Sequence, residues 1–452
     1  MTATQIYLNM KKALLLPLCL ILFSFQLYAN SPTASETKNK AETNLLREFN
    51  NTMFGLLFFD VSQGKVKVKE FQRPITGKAS ILEIDNDHYT VKTNKQSLTV
   101  PKSAIHPKNA KLGELVNIFY AAPVLDATST EQKTKTVSIK FLILLLLGGA
   151  IFFTVFYRFI NIRLFKHAID VIRGKYDDPE DDGDITHFQA LTSALSATVG
   201  LGNIAGVAIA IYSGGPGAVF WMMCVAIFGM TAKFSSCTLA QLYRQHNEDG
   251  SISGGPMYYL DLGLSSIGLK PLGKILAFLF AFMIMGAALG GGNMFQSNQT
   301  FAIVKYSFFP ESNGSSTAYI FGFTMAFFVG LVIIGGIKRI GSATSKIVPS
   351  MCAIYIITSL IVIFSNSSLI LPSISLIFEQ AFSSEAFAGG MIGVMMVGIQ
   401  RAAFSNEAGL GSASIAHAAA KTKEPVREGL VAMVGPIIDT VVVCSMTAMV
   451  VI

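Results

Sequence analysis

Charge is scarce in this chain. Asp, Glu, Lys and Arg make up 14% of its 452 residues, where a soluble domain carries about 25%. Cysteine is scarce too. The five cysteines (Cys19, Cys224, Cys237, Cys352 and Cys444) all lie in hydrophobic stretches, and none falls between residues 30 and 137. That polar stretch therefore has no disulfide. There is no CxxC pair, no metal-ligand spacing, no nucleophile beside a base, no phosphate loop and no metalloprotease motif. The formal charge of +7 comes from basic residues dispersed among loops, so it is a topology signal and not a nucleic-acid footprint.

What is present is apolar sequence. Hydrophobic residues make up 51% of the chain, mean hydropathy is +0.51, and the apolar runs are long. This predicts an all-α polytopic membrane protein. Lys11-Lys12, an apolar run from Ala13 to about Leu27 and Leu27-Tyr28-Ala29 read as a signal peptide over 1–29. Residues 30–137 read as an extracytoplasmic β-rich domain and linker. Phe54–Phe59 is a strand candidate, Lys65–Lys69 alternates with period two, and Asp85-Asn86-Asp87 is a hairpin turn between Ser80–Ile84 and His88–Lys92. His88 and His106 read as surface residues.

The membrane domain is expected over 138–452. Its eight spans are 139–160, 188–213, 217–241, 272–300, 317–336, 347–371, 387–418 and 429–452, each long enough for a bilayer. An exported N-terminal domain makes the first loop cytoplasmic, and that loop holds Arg158, Arg163, Lys166, Arg173 and Lys175. The next cytoplasmic loops hold Arg244, Lys270 and Lys274, then Lys338, Arg339 and Lys346, then Lys421, Lys423 and Arg427; the external loops hold only Lys305. Signal peptide and loop charges agree on orientation. The chain stops at Ile452 at the end of a span, which suggests a fragment.

Two spans are interrupted by glycine: Gly200-Leu-Gly-Asn203 in the second, and Phe404-Ser-Asn-Glu-Ala-Gly-Leu-Gly-Ser412 five spans later. Non-helical backbone at membrane depth is tolerated only where it is buried in protein or lines a cavity. Paired interruptions in corresponding halves are the sequence pointer to a secondary transporter's site. Free N–H groups at a half-helix N-terminus suit a carboxylate. Unwound carbonyls suit Na⁺, together with oxygens from Thr198, Asn203, Ser405 and Asn406. The glycines fit close helix packing as well, since Gly202 and Gly206 have the small-xxx-small spacing.

Charges inside spans are costly and mark function by default. Lys233 and Asp439 are two such residues; an ion pair between them and Asp439 acting alone at an ion path are both open. Arg401 and Glu407 flank the second break; Arg401, like Lys233, reads as snorkelling or in structural pairing, and Glu407 as a cap of the following half-helix. Gln296, after Gly290-Gly-Gly-Asn293, is a candidate to face a central cavity. His417 is expected at the cytoplasmic interface and outside any proton relay.

Several ordered motifs extend the pattern: His187–Thr192, Ala197–Ala208, Gly214-Gly-Pro-Gly-Ala-Val-Phe-Trp221, Gly254-Gly-Pro-Met-Tyr-Tyr259, Phe404–Ala413, Ile415–Ala420, Pro425–Met433 and Ile438–Cys444. On these the chain resembles the sodium:alanine (or glycine) symporters, the alanine-or-glycine:cation symporter family, over about residues 139–452. The resemblance implies a leucine-transporter-type fold, with two inverted five-helix repeats after one extra helix, here C-terminally incomplete because eight spans stand where the family has about eleven. It implies Na⁺-coupled symport of alanine or glycine across the inner membrane by alternating access. The partners are then a small amino acid, Na⁺ and lipid. The protein is expected not to be an enzyme and to need no cofactor, with Na⁺ as coupling ion. The implied substrate-binding residues are Gly200, Gly202, Gln296, Gly409 and Gly411. The sodium-binding expectation is Thr198, Asn203, Asn406 and Asp439. Two alternatives stay open: a proton-coupled small amino acid symporter, motivated by Asp439 and Glu407, and a truncated, non-transporting membrane sensor.

Overall fold

The structure is a computed structural model that describes residues 141–178, 180–309, 315–383 and 390–452, with residue 111 and short strand segments between residues 67 and 136. The expected signal peptide, the strand candidate Phe54–Phe59 and the turn Asp85–Asp87 lie outside the described residues.

In the N-terminal region, β1 (Lys67–Lys69) pairs antiparallel with β7 (Thr134–Thr136). A five-stranded antiparallel sheet is built from β2 (Ile75–Ile84), β3 (His88–Lys92), β4 (Ser97–Pro101), β5 (Ile105–His106) and β6 (Leu115–Tyr120) in the order β4-β3-β2-β6-β5. Strands β2 and β3 flank the predicted turn, with Ile84 opposite Tyr89. The period of two shows where side chains are described: Ile81 is buried and its neighbour Leu82 is exposed.

From Phe141 onward the described chain is almost entirely helical. Helix α1 (Phe141–Phe156) is followed by α2 (Ile160–Arg163) and α3 (Phe165–Ile172). The first broken span is α4 (His187–Thr198) and α5 (Leu201–Gly214), bent by 43° at the interruption. Then come α6 (Gly217–Leu242), α7 (Pro256–Ser265), and α8 (Lys270–Ala287) running through a π-helical segment, Ala288–Met294, into α9 (Phe295–Phe308). Helices α10 (Ser315–Ile333) and α11 (Gly336–Ser365) are nearly contiguous, and α12 (Ile370–Phe382) is a separate short helix. The second interruption, expected within a span over 387–418, separates α13 (Gly390–Asn406) from α14 (Ser412–Ala418), a pair outside the candidate membrane spans among the described residues. The last helix runs as α15 (Pro425–Ala432), a π-helical segment Ile437–Cys444 and α16 (Ser445–Val451).

Among the described residues five helices are long and apolar enough to cross a membrane, and six if the bent pair α4–α5 counts as one span. The helix expected over 347–371 runs Gly336–Ser365, because the turn at Gly335-Gly336 separates it from α10 by only two residues and Pro349 does not end it. Lys338, Arg339 and Lys346, expected in a loop, therefore lie on the first turns of α11.

Helix α6 is the axis of the bundle. It is buried almost continuously from Gly229 to Gln241, and α1, α12, α13, α14 and α15 all pack on it. A helix hydrophobic on every side is a core helix. The apolar cluster around it includes Phe153, Tyr157, Phe234, Tyr259, Phe280 and Met433. Close approach of α15 needs Gly429: a Cβ there would lie 2.0 Å from Thr238 Oγ1 and 2.8 Å from Phe234 O. By contrast, α9 and α10 keep large apolar side chains such as Phe308, Phe323 and Phe327 exposed.

The expected basic end is held together by polar contacts. Arg244 donates to the carbonyls of Asp182, Ala420 and Thr422 at 2.8–2.9 Å. Lys338 pairs with Asp184 and Lys423 with Asp181. The segment before α4 and the segment after α14 run side by side: Lys421 N–H donates to Ile185 O at 2.8 Å, and Asp184 N–H to Ala419 O at 2.8 Å.

Candidate functional site

Two interruptions meet inside this bundle. At the first, Val199 and Gly200 leave helical geometry. The freed Gly200 N–H donates to Asn203 Oδ1 at 2.9 Å, so the side chain one turn in satisfies the open backbone group that the break creates. Asn203 is fully buried and its amide nitrogen reaches further. It donates to Ser405 Oγ at 3.1 Å and to the backbone carbonyl of Asp439 at 2.7 Å. One asparagine thus ties the first break to the end of α13 and to the π-helical segment. Thr447 in α16 closes the circuit by donating to Asn203 O at 2.8 Å.

At the second interruption α13 ends at Asn406, and Glu407 takes φ +50°. Gly409 (φ +93°) and Gly411 (φ +82°) follow, the latter preceding the first residue of α14. These φ values are disfavoured for residues with a Cβ, which is why glycine stands at both positions. Asn406 Oδ1 accepts from Ala408 N–H at 2.9 Å, and Ser412 Oγ donates to Glu407 Oε2 at 2.5 Å. Glu407 thus meets the Ser412 side chain but does not cap the following half-helix, whose first N–H groups take no side-chain acceptor among the described residues.

Between the breaks lies Asp439, with no solvent exposure. Its Oδ1 accepts from the Thr440 hydroxyl. Its Oδ2 has no hydrogen-bond partner among the described residues. The Thr198 hydroxyl, at the end of α4, acts on the same carboxylate. A buried, half-satisfied carboxylate is expensive unless a cation or a proton completes it. That donor set fits a hard monovalent cation.

Of the two open readings, the Lys233–Asp439 ion pair does not form within 4 Å. Lys233, 2% exposed, donates instead to the Asn406 carbonyl at 3.1 Å, at the negative end of α13. The ammonium remains an electrostatic influence on Asp439. It is a buried structural cation and not a snorkelling one, because its reach is toward the second break.

The structure brings most of the sequence-predicted residues together. Thr198, Asn203 and Asp439 converge as described. Asn406 is buried beside Lys233, with its Nδ2 unpaired. Gly200 faces Gln296, whose Oε1 would lie 3.6 Å from a Cβ at that position. Gly202 packs on α13: a Cβ there would lie 3.3 Å from Ser405 Cα. Close packing therefore explains Gly202 directly. Ser405, quoted in the motif, contacts Asn203 and Cys444 Sγ.

Sequence reasoning missed a second polar cluster. His417 is not at a wet interface. It is 1% exposed and contacts Glu428, whose other carboxylate oxygen contacts His187. Glu428 was hidden in a loop of mixed charge, and its buried position follows only from the packing of α15 on α6. The signal available was Glu428 next to Gly429, the small residue on the packing face.

A mostly helical polytopic membrane protein with two interrupted helices around a buried carboxylate has the form of an ion-coupled carrier. Comparison with known proteins agrees. Residues 124–452 match the family model described as the sodium:alanine symporter family, and the chain belongs to that family. It is 47% identical over 311 residues to the sodium/alanine symporter AgcS of Methanococcus maripaludis, covering 69% of this chain and 67% of that protein. It is 41% identical over 308 residues to the putative sodium/proton-dependent alanine carrier protein YrbD of Bacillus subtilis, covering 68% and 60%. It is 37% identical over 313 residues to the probable sodium/glutamine symporter GlnT of the same bacterium, covering 69% and 62%. The matched stretch is thus about two thirds of each relative's length.

Proposed function

We propose that this chain carries the sodium-coupled symport of alanine or glycine by alternating access, on a leucine-transporter-type inverted-repeat fold in the inner membrane. The carrying observation is the single asparagine, Asn203, that links both broken helices to the buried Asp439. A site built this way lets occupancy of the cation position bias the geometry of both breaks at once. Asp439 Oδ2 and the Thr198 hydroxyl are the cation's first partners, with Asn203 and Asn406 positioning the backbone around them. Gly200, Gly202, Gln296, Gly409 and Gly411 form the substrate side, where open N–H groups at the half-helix starts receive the carboxylate.

Residues 30–137 are proposed to face the periplasm, and the Arg244, Lys338 and Lys423 end the cytoplasm. The support is the clustering of these basic residues at one end of the bundle.

The name of the sodium/proton-dependent relative favours one second reading, in which a proton and not Na⁺ completes Asp439. Equilibrium binding of labelled alanine to the purified chain separates the two. Sodium coupling predicts that binding is strengthened by Na⁺ at fixed pH, and that Asp439→Asn abolishes the strengthening. Binding indifferent to Na⁺ but dependent on pH would favour the proton.

A further inference from the structure

Three titratable side chains stand apart from the two breaks, at the end of the bundle that carries the basic loops. His187 opens α4, His417 lies near the end of α14 and Glu428 lies in the first turns of α15. They are 2%, 1% and 0% exposed, so their net charge is not screened by water. Each Glu428 oxygen contacts the Nδ1 of one histidine: Oε2 that of His187 and Oε1 that of His417.

The protons can be counted. A contact this close between a ring nitrogen and a carboxylate oxygen holds a proton, so each Nδ1 carries one. With two neutral rings and an ionised Glu428 the cluster has a net charge of −1. Two ring nitrogens are left over, and of these His187 Nε2 is the one that is buried with no hydrogen-bond partner among the described residues. Asp177 Oδ1 stands 3.8 Å from it, and that carboxylate is 46% exposed. A further proton on Nε2 makes His187 an imidazolium between two carboxylates and neutralises the cluster against Glu428. Asp177 supplies the route to water.

We propose that His187, Glu428 and His417 form a proton-binding site, loaded at His187 Nε2 through Asp177, that holds the basic end of the two broken helices closed. The site's geometry supplies the coupling. His187 belongs to the first broken helix and His417 to the second, and Glu428 is their common partner. The backbone seam between Asp184–Ile185 and Ala419–Lys421 lies beside the two histidines in sequence, and Gln241 fastens it by donating to His417 O at 2.6 Å. The other ionisable groups acting on the cluster are Arg427, Arg244 and Cys237. The loaded state is neutral and closed. Loss of the proton leaves an uncompensated buried charge and loosens the seam.

The test uses the purified full chain in lipid nanodiscs with ¹⁵N-labelled histidine, titrated from about pH 4 to pH 9 around the ordinary histidine range. The same samples report hydrogen exchange at the Lys421 amide, corrected for its intrinsic pH dependence. The expected result is a ring that gains a proton within this range, absent in His187→Gln and retained in the control His246→Gln. Lys421 protection rises about tenfold or more on the acid side of that transition. Asp177→Asn, a change at a half-exposed side chain, lowers the midpoint by about half a pH unit or more. The proposal is overturned if His187 does not change protonation, or if its ring titrates with Lys421 protection unchanged. Should His187→Gln fail to fold, an unmoved midpoint in Asp177→Asn overturns it instead.

Discussion

Asn203 carries more structural consequence than any other single side chain at the interruptions. Its amide accepts from Gly200 N–H and donates to Ser405 Oγ and Asp439 O, with the side chain fully buried. Asn203→Ala leaves the Gly200 N–H unpaired, at about 1–3 kcal/mol, and leaves the Asp439 carbonyl only the weak donor Cys444 Sγ at 3.3 Å. Thermal unfolding in detergent should show that loss, and sodium activation of alanine binding should weaken further than stability does. Unchanged sodium activation with full expression would remove Asn203 from the ion site. Asp439→Asn acts the other way on stability. It replaces a half-satisfied buried carboxylate by a neutral amide, so the expected outcome is a melting temperature equal to or above that of the parent, with Na⁺ activation lost. A strongly destabilised Asp439→Asn protein that still responds to Na⁺ would contradict the role given to this carboxylate. The same scale shows where sequence reading stopped. Asp439 and Lys233 were recognisable as costly charges in apolar helices, but which partner each takes depends on distances of an ångström or two across the bundle. Lys233 chose a carbonyl at the end of α13 over the carboxylate.

At the scale of elements, the two breaks were legible because glycine and asparagine interrupt otherwise apolar runs. The structure adds what each glycine is for. Gly409 and Gly411 sit at positive φ, so Gly411→Ala should cost about 1–2 kcal/mol through the left-handed backbone and shift the unfolding midpoint accordingly. Gly429 faces Thr238 and Phe234, so Gly429→Leu overpacks the α6–α15 crossing and should destabilise by about 1–3 kcal/mol or more. Gly290, Gly291 and Gly292 meet nothing within 4 Å of a Cβ, so alanine there should leave the melting temperature within about a degree or two, as surface changes do. A loss at Gly290–Gly292 as large as that at Gly429 would contradict this packing account. Helix boundaries were less legible: the turn at Gly335-Gly336 shortens the expected loop between α10 and α11, and the histidine–glutamate cluster joins residues 241 positions apart in the chain, a separation that no local pattern reports.

For the whole molecule, three of the basic residues expected in cytoplasmic loops, Arg244, Lys338 and Lys423, meet on the segment Asp181–Asp184. The same end holds the buried cluster and the seam between the broken helices, while the interruptions lie deeper in the bundle. Composition made the membrane class plain, and the match over residues 124–452 places the chain in the sodium:alanine symporter family. Under the proposed function, the choice of amino acid rests on the shape around Gly200 and Gln296, which composition does not encode. The most direct test of the central claim is uptake of labelled alanine into proteoliposomes containing this chain, with an inward Na⁺ gradient and with K⁺ substituted. Accumulation that needs the Na⁺ gradient, and is lost in Asp439→Asn, is the result predicted here. Accumulation that is equal in K⁺, or that Asp439→Asn leaves intact, would contradict it.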